Sequence, residues 1–302
     1  MNIESIIAKF GYSNEISNYL RKIYPYLVSY FKDEKIVFET LNNVPIVLCE
    51  DLYDCLVDTN MLGALDEGAV ASPDVIRDAF GGYITNPQFS YNSEDGSFSL
   101  KESRQMIALN TKTITDFEPT LIHEVCHAVK SYNNQYKVDG NTAVEYSGFI
   151  RRNYILNVEN GVVKRNLTSE IGVGFEEALN EMAEERIYSA VSKKEYVSDN
   201  YRITKDIAKR IFNYGIEDIE NIIFEAQMYH DNSKLDSMLG DSFYSFVEML
   251  DRLYEKNLEY LDCLSVQEQM NVLKEVRVYI NIQYPLVEQQ IKSKINNTDM
   301  DM

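Results

Sequence analysis

The chain has 302 residues, of which 45% are hydrophobic, so it can bury a sizeable core. Charged residues make up 25% of the chain and no low-complexity block interrupts it, which is typical of a folded protein. The net charge of −19 argues against nucleic acid and against an anionic membrane surface as partners, because both require a basic face.

The sequence also argues against export and membrane insertion. The N-terminus lacks the basic region and long apolar stretch of a signal peptide, and no apolar run reaches the roughly 18 residues of a membrane span. The four cysteines, Cys49, Cys55, Cys126 and Cys263, are scattered without C-x-x-C spacing, as expected of a reduced protein. A cytoplasmic protein is therefore predicted.

The first third of the chain has mixed periodicity. Residues 1–32 have helical spacing with a break at 11–14, which predicts two short helices and a cap at Ser13 or Asn14. The pattern then favours strands at 36–38 and 45–48 around a turn at 42–43, followed by a helical and loop-rich stretch over 49–80. We interpret residues 1–115 as an N-terminal α+β subdomain.

Three short β segments complete this subdomain, at 81–85, 97–100 and 105–110. The last of them directly precedes the next helix. In a peptidase such a strand can line the cleft, where an extended substrate adds to it edge-on. An ordinary sheet strand without that role is the alternative.

The next helix carries the most informative motif of the chain. Thr115 or Asp116 is expected to cap it, and a proline suits its first turn. It contains His123-Glu124-x-x-His127, which uses two of only three histidines. Positions i and i+4 share a helix face, so both histidines can bind one metal ion, and Glu124 can take a proton from metal-bound water. The alternative is a chance match with two histidines in the core.

A hairpin is predicted over residues 147–168, because Asn160-Gly161 is a strong two-residue turn signal. Its arms carry four basic residues in a very acidic chain: Arg151, Arg152, Lys164 and Arg165. These residues could hold a substrate carboxylate, or they could be solvated charges on an exposed hairpin.

An acidic helix is predicted over residues 174–185. Glu177, Glu181 and either Glu184 or Glu185 would share one face of it. A catalytic zinc ion has three protein ligands and one open position, and no further histidine lies near His127, so a carboxylate is expected to supply the third ligand. A solvated acidic face is the alternative.

The chain after residue 115 is interpreted as three parts. Residues 116–190 are interpreted as the metal-binding helices with the inserted hairpin, and 191–295 as a C-terminal helical subdomain. The polar tail 296–302 is expected to be disordered.

Together, the H-E-x-x-H motif and Leu179-Asn180-Glu181 resemble the gluzincins, zinc peptidases whose third ligand is a glutamate on a downstream helix. The resemblance covers roughly residues 105–190. It implies that Glu181 is the zinc ligand, with Glu177 as its competitor, and that Glu185 accepts a hydrogen bond from a ligand histidine.

The metzincin pattern does not fit, because Lys130 and Asn133 stand where it requires glycine and histidine. The implied fold is α+β and mostly helical, of the zincin-like class. In that class a small N-terminal mixed sheet and a C-terminal helical subdomain flank a metal-site cleft.

The function implied by the resemblance is a zinc-dependent peptidase that acts on a peptide or protein substrate, with Glu124 as general base. An oxyanion donor is also expected. His230, in an inter-helix loop, and Tyr154 are candidates, with Tyr146 and Tyr188 as rivals. One alternative is a zinc-binding zincin-fold protein without hydrolytic activity that acts as an interaction module, and another is a metal-free helical binding module. Substrate sequence and oligomeric state are not predicted.

Overall fold

The computed structural model describes residues 1–59, 61, 77, 79–198 and 200–300. Over these residues the protein is an α+β structure with more helix than strand, as predicted, and it contains two small sheets. No helix in the described ranges is both long and apolar enough to cross a membrane.

The chain forms two compact units, and each is built from several segments. Unit 1 consists of Met1–Glu145, Arg152–Ser169 and Met182–Val197, whereas unit 2 consists of Tyr146–Arg151, Glu170–Glu181 and Ser198–Met302. The division into three consecutive subdomains, with boundaries at 115, 190 and 295, stays a prediction.

Unit 1 begins with helices α1 (Ile3–Phe10), α2 (Asn14–Phe31) and α3 (Glu34–Asn43), then strand β1 (Ile46–Cys49) and helix α4 (Leu52–Asp58). The break between α1 and α2 is confirmed, and the Ser13 side chain caps α2 by accepting a hydrogen bond from the Ile16 main-chain N–H. The loop-rich part of the stretch 49–80 lies mostly outside the described residues.

The predicted strand at 36–38 is wrong, because these residues lie in α3. Asp33 caps this helix by accepting from the Ile36 N–H, and Ile36, Val37, Thr40 and Leu41 are buried at helical spacing. Capping and the burial of one face outweigh the strand preference of the β-branched residues. The strand at 45–48 is confirmed as β1.

The first sheet contains β1, β2 (Gly81–Asn92) and β3 (Ser97–Asn110) in the order β1-β3-β2. The central strand, β3, pairs parallel with β1 and antiparallel with β2. All three predicted β segments lie in these strands. Residues 107–109 are paired on both sides, so a substrate strand cannot add edge-on to them. Among the described residues, β1 and β2 are the edge strands of this sheet.

After β3 the chain forms helix α5 (Phe117–Lys130) and then a second sheet, with strands β4 (Gln135–Asp139), β5 (Thr142–Ser147), β6 (Ile150–Glu159) and β7 (Val162–Ile171) in chain order. The predicted hairpin is confirmed as β6 and β7. Asn160 and Gly161 both have positive φ angles, 53° and 79°, as a tight two-residue hairpin turn requires. The strands β4 and β5 were not predicted.

Two of the four basic residues of the hairpin bind within the protein. Arg152 Nη1 lies 3.7 Å from the buried carboxylate of Glu145. The Arg165 guanidinium lies 5.6 Å from the ring centroid of Tyr154 and donates a hydrogen bond to the Pro87 carbonyl. These two charges therefore support the packing of the hairpin, and the interpretation of four solvated charges does not hold for them.

Helix α6 (Val173–Ser192) includes the predicted acidic helix. It is followed by α7 (Arg202–Ala208), a 3₁₀ turn (Lys209–Asn213), α8 (Ile219–Tyr229), α9 (Ser233–Met238), α10 (Asp241–Asp262) and α11 (Val266–Met300). The helical pattern of the C-terminal part is confirmed. Residues 296–300 continue α11, and the predicted disorder of the tail stays a prediction.

Within unit 2, the start of α6 is capped from α10. The Asp251 carboxylate accepts hydrogen bonds from the main-chain N–H groups of Gly172, at 2.7 Å, and Gly174, at 2.8 Å. Gly172 has φ +89°, and a Cβ atom on Gly174 would overlap the Leu250 carbonyl. The two glycines let the chain approach α10 closely, and Asp251 supplies the acceptor that a glycine cap lacks.

Burial raises the pKa of Asp251 to about 6, against the lowering effect of its two N–H donors. A folded-state pKa above the unfolded value gives a stability contribution that is fully present below about pH 4 and is lost as the pH rises through about 6. We therefore expect the difference in unfolding free energy between wild type and Asp251→Asn to shrink by about 2 kcal/mol between pH 4 and pH 7. Urea unfolding at several pH values measures it, and a constant difference would contradict the assignment.

Candidate metal centre

Helix α5 carries the H-E-x-x-H motif and is buried along most of its length. Asp116 is its N-terminal flanking residue, although its side chain makes no capping hydrogen bond, and Pro119 lies in the first turn as predicted. The exposed fractions of His123 and Glu124 are only 9% and 8%. Cys126 is fully buried, and burial raises the pKa of its thiol to about 12, so it is a small apolar residue at neutral pH, as expected.

The two histidine rings of the motif face each other at their Nε2 atoms. His123 Nε2 and His127 Nε2 are 3.1 Å apart, and the ring planes are inclined by 65°. Two nitrogens bound to one zinc ion at about 2.0–2.1 Å in a tetrahedral arrangement are roughly 3.3 Å apart. The observed separation therefore fits two ligands of a single metal ion.

The opposite nitrogen of His123 is held by a carboxylate. Its Nδ1 lies 3.1 Å from Glu184 Oε2, and the Glu184 side chain is only 3% exposed. An ionised carboxylate only accepts hydrogen bonds, so with Glu184 in that form Nδ1 carries the proton and the Nε2 lone pair is directed towards His127. This is the tautomer that binds a metal ion through Nε2.

The acid that contacts His123 is Glu184. The sequence predicted Glu185 as the acid that accepts a hydrogen bond from a ligand histidine, and that assignment stays a prediction. Both residues are about one turn from Glu181, but Glu184 is on the buried side of α6 and Glu185 is partly exposed. Rotations of three and four residues along a helix differ by 100°, and sequence spacing alone does not choose between them.

Glu184 has a second partner that sequence reasoning missed. The phenol of Tyr196 donates a hydrogen bond of 2.8 Å to Glu184 Oε1. Tyr196 follows α6 in a segment without regular secondary structure, where no periodic pattern marks it. Both oxygens of the carboxylate are therefore engaged, one by the histidine and the other by the tyrosine.

The carboxylate of Glu124 is bound by β2, one of the edge strands of the first sheet. Its Oε2 accepts the main-chain N–H of Tyr83 at 2.6 Å. The Asn110 N–H donates to the Phe80 carbonyl, so Phe80 directs its main-chain groups towards β3. Successive residues of an antiparallel strand alternate in this direction. Tyr83, three residues after Phe80, therefore directs its N–H and C=O away from β3. The expected general base is thus oriented by a fixed main-chain donor.

The remaining acids of interest lie on α6. Glu177, Glu181 and Glu184 follow one another at spacings of four and three residues, so they share one side of the helix. Glu181 is 1% exposed and Glu177 is partly buried. Among the described side chains, two groups could hold a metal ion: His123, His127 and Glu177 form one, and His123, Glu181 and Glu184 form the other.

Tyr154, one candidate oxyanion donor, has its hydroxyl bound to another group. It is 2% exposed in the core of the second sheet, and its hydroxyl donates to Glu145 Oε2 at 2.8 Å. Glu145 is fully buried and also accepts the Tyr136 hydroxyl at 2.9 Å. In this structure Tyr154 therefore supports a buried carboxylate of the sheet, and its role as an oxyanion donor stays a prediction.

His230, the other candidate, ends α8 in unit 2. It has φ 55°, it is partly buried, and its Nδ1 lies 3.1 Å from the Gly148 carbonyl. A carbonyl only accepts, so Nδ1 carries the proton. Neutral His230 then has an acceptor at Nε2, and only the protonated ring could donate to an oxyanion from that atom. Its assignment also stays a prediction.

No protein-family model, curated protein or solved structure matches this chain.

Two substitutions distinguish Glu184 from Glu185 as the acid that supports a ligand histidine. We expect Glu184→Gln to weaken metal binding about 10- to 100-fold, the usual loss when an outer partner of a ligand histidine is changed. Glu185→Gln is the matched control and should change affinity little. Competition with a chromophoric chelator measures both, and a larger loss in Glu185→Gln would restore the original assignment.

Proposed function

We propose that this protein is a zinc-dependent peptidase of the gluzincin type with a zincin-like fold. The observation that carries the proposal is the arrangement on α5. Two histidines face each other through Nε2 at 3.1 Å, one of them is oriented by the buried Glu184, and Glu124 lies between them in the same motif. The buried carboxylate on the far nitrogen of His123 is the partner that metal-binding histidines usually have.

The proposed metal ligands are His123, His127 and Glu181. Two imidazoles and one carboxylate form a donor set that suits zinc and leaves a fourth position for water. Glu181 is preferred because the resemblance assigns it and because it is one turn before Glu184, on the same side of α6. Glu177 is the competing ligand, and it is the acid whose carboxylate lies close to both His123 and His127 in the structure.

A bound zinc ion would lower the pKa of a coordinated water and polarise the scissile carbonyl group. The residues of the chain then account for the proton transfers. Glu124 would take a proton from the attacking water and return it to the leaving amine. The Tyr83 N–H on Oε2 holds the carboxylate in one orientation for both transfers.

The edge of β2 supports an extended peptide as the substrate. Tyr83, Thr85 and Pro87 direct their main-chain groups away from β3, and Arg165 already occupies the Pro87 carbonyl. The Tyr83 C=O and both main-chain groups of Thr85 could pair with a peptide strand. Since the Tyr83 N–H contacts Glu124, a peptide paired there would run past the general base.

Substitution of Glu124 tests hydrolysis separately from metal binding. We expect Glu124→Gln to bind zinc like the wild type and to lose roughly 100- to 10,000-fold in turnover of a peptide-library substrate, because the general base is removed. Metal content by mass spectrometry and peptide cleavage are measured on the same samples. Equal turnover in both proteins would contradict the mechanism, and metal binding without any turnover would favour the interaction-module alternative.

The third ligand is tested by Glu181→Gln and Glu177→Gln. We expect Glu181→Gln to lose zinc more severely than the roughly 10- to 100-fold weakening that follows loss of an outer partner. Glu177→Gln serves as the matched control, with the same change one turn away on the same helix. A larger loss in Glu177→Gln would assign the ligand role to Glu177. No zinc in the wild type, even after addition, would overturn the proposed function.

A further inference from the structure

The contacts of Glu184 extend one residue beyond the expected site. Its Oε2 holds His123 Nδ1 at 3.1 Å, and its Oε1 accepts the Tyr196 hydroxyl at 2.8 Å. A phenol, a carboxylate and an imidazole therefore form a continuous hydrogen-bonded chain. All three residues belong to unit 1.

Tyr196 is itself held in place by the end of α6. Its main-chain N–H donates to Ser189 Oγ at 3.0 Å, and its ring packs edge-to-face against Tyr188 with ring centroids 4.8 Å apart. The segment that follows α6 thus turns back onto the last turns of the helix. This return directs the phenol to a carboxylate twelve residues earlier in the chain.

We propose that Tyr196 is a positioning residue that fixes the Glu184 carboxylate and, through it, the tautomer of His123. A glutamate carboxylate rotates easily about its last bond, because the rotation between sp³ and sp² atoms is broad. With the phenol on Oε1, Oε2 remains directed at Nδ1 and keeps the proton there. Without the phenol the carboxylate turns, and the tautomer protonated at Nε2, which cannot bind a metal ion, becomes populated.

The metal-affinity part of this inference rests on the proposed function, whereas the tautomer part does not. The competing explanation is that Tyr196 merely covers the site with its ring. Tyr196→Phe keeps the ring and removes only the hydroxyl. Tyr188→Phe is the matched control, because it removes the hydroxyl of the neighbouring ring, which makes no hydrogen bond to Glu184 among those described.

The first measurement is made on the full chain without metal. The protein contains only three histidines, so long-range ¹H–¹⁵N spectra resolve every imidazole, and His127→Gln and His230→Gln assign the signals. A pH titration of the same signals identifies the pH range in which the rings are neutral, and the tautomers are read in that range. We expect a single Nδ1–H form of His123 in the wild type and in Tyr188→Phe, and a mixture of tautomers in Tyr196→Phe.

The second measurement is the affinity for zinc by chelator competition. We expect Tyr196→Phe to weaken binding about 5- to 10-fold, less than Glu184→Gln, because it removes one hydrogen bond that acts through another residue. Tyr188→Phe should bind like the wild type.

An unchanged His123 tautomer in Tyr196→Phe, or the same change in Tyr188→Phe, would overturn the assignment of Tyr196. A wild type that binds no zinc would overturn the proposed function, and the spectra of the metal-free proteins would still decide the role of Tyr196. If Tyr196→Phe is poorly folded, Glu184→Gln tests the same link, because a phenol on the amide oxygen would turn the amide NH₂ towards His123 Nδ1. A single Nδ1–H form of His123 in a folded Glu184→Gln variant would then overturn the proposal.

Discussion

The buried hydrogen bond between Glu184 and His123 is the interaction on which the candidate centre depends. A carboxylate that is 3% exposed in its side chain needs strong partners, because an isolated buried charge is very unfavourable. Here it has two, an imidazole N–H and a phenol. The same contact selects the ring nitrogen of His123 that is left for a ligand. One interaction therefore satisfies the burial of an acid and prepares a histidine for metal binding.

Local spacing was sufficient to predict the donors on a single helix. His123, Glu124 and His127 lie within five residues, and their arrangement follows from helix geometry alone. The partners on the other side of these residues were not predictable in this way. The Tyr83 N–H is a main-chain group, which every residue except proline has, so the sequence does not single it out. Tyr196 lies in a segment without regular secondary structure, where no periodic pattern identifies it. Glu184 was a candidate, but its role depended on a 100° rotation that spacing does not resolve.

The fold was predictable to a similar degree. Strongly periodic helices, the Asn160-Gly161 hairpin and parts of β2 and β3 were recognised from local signals. The segment 36–38 was not, because Asp33 and the packed face of α3 decide its conformation. The order of the strands in the first sheet was also not predictable from the sequence. A segment as apolar as 105–110 fits an edge or a central strand, and only its pairing with both β1 and β2 makes it central.

The cap on α6 has a consequence for the order of folding. The helix that carries the acidic residues begins at a pair of glycines, and its first N–H groups find their acceptor in Asp251, 79 residues after Gly172. A ribosome-bound chain that ends before α10 has no such acceptor, and glycines start a helix poorly by themselves. The acidic helix therefore gains its final N-terminus late in synthesis, after the H-E-x-x-H helix has already emerged. Contacts of such large sequence separation slow folding, so the proposed metal site should be completed late in the folding of a new chain.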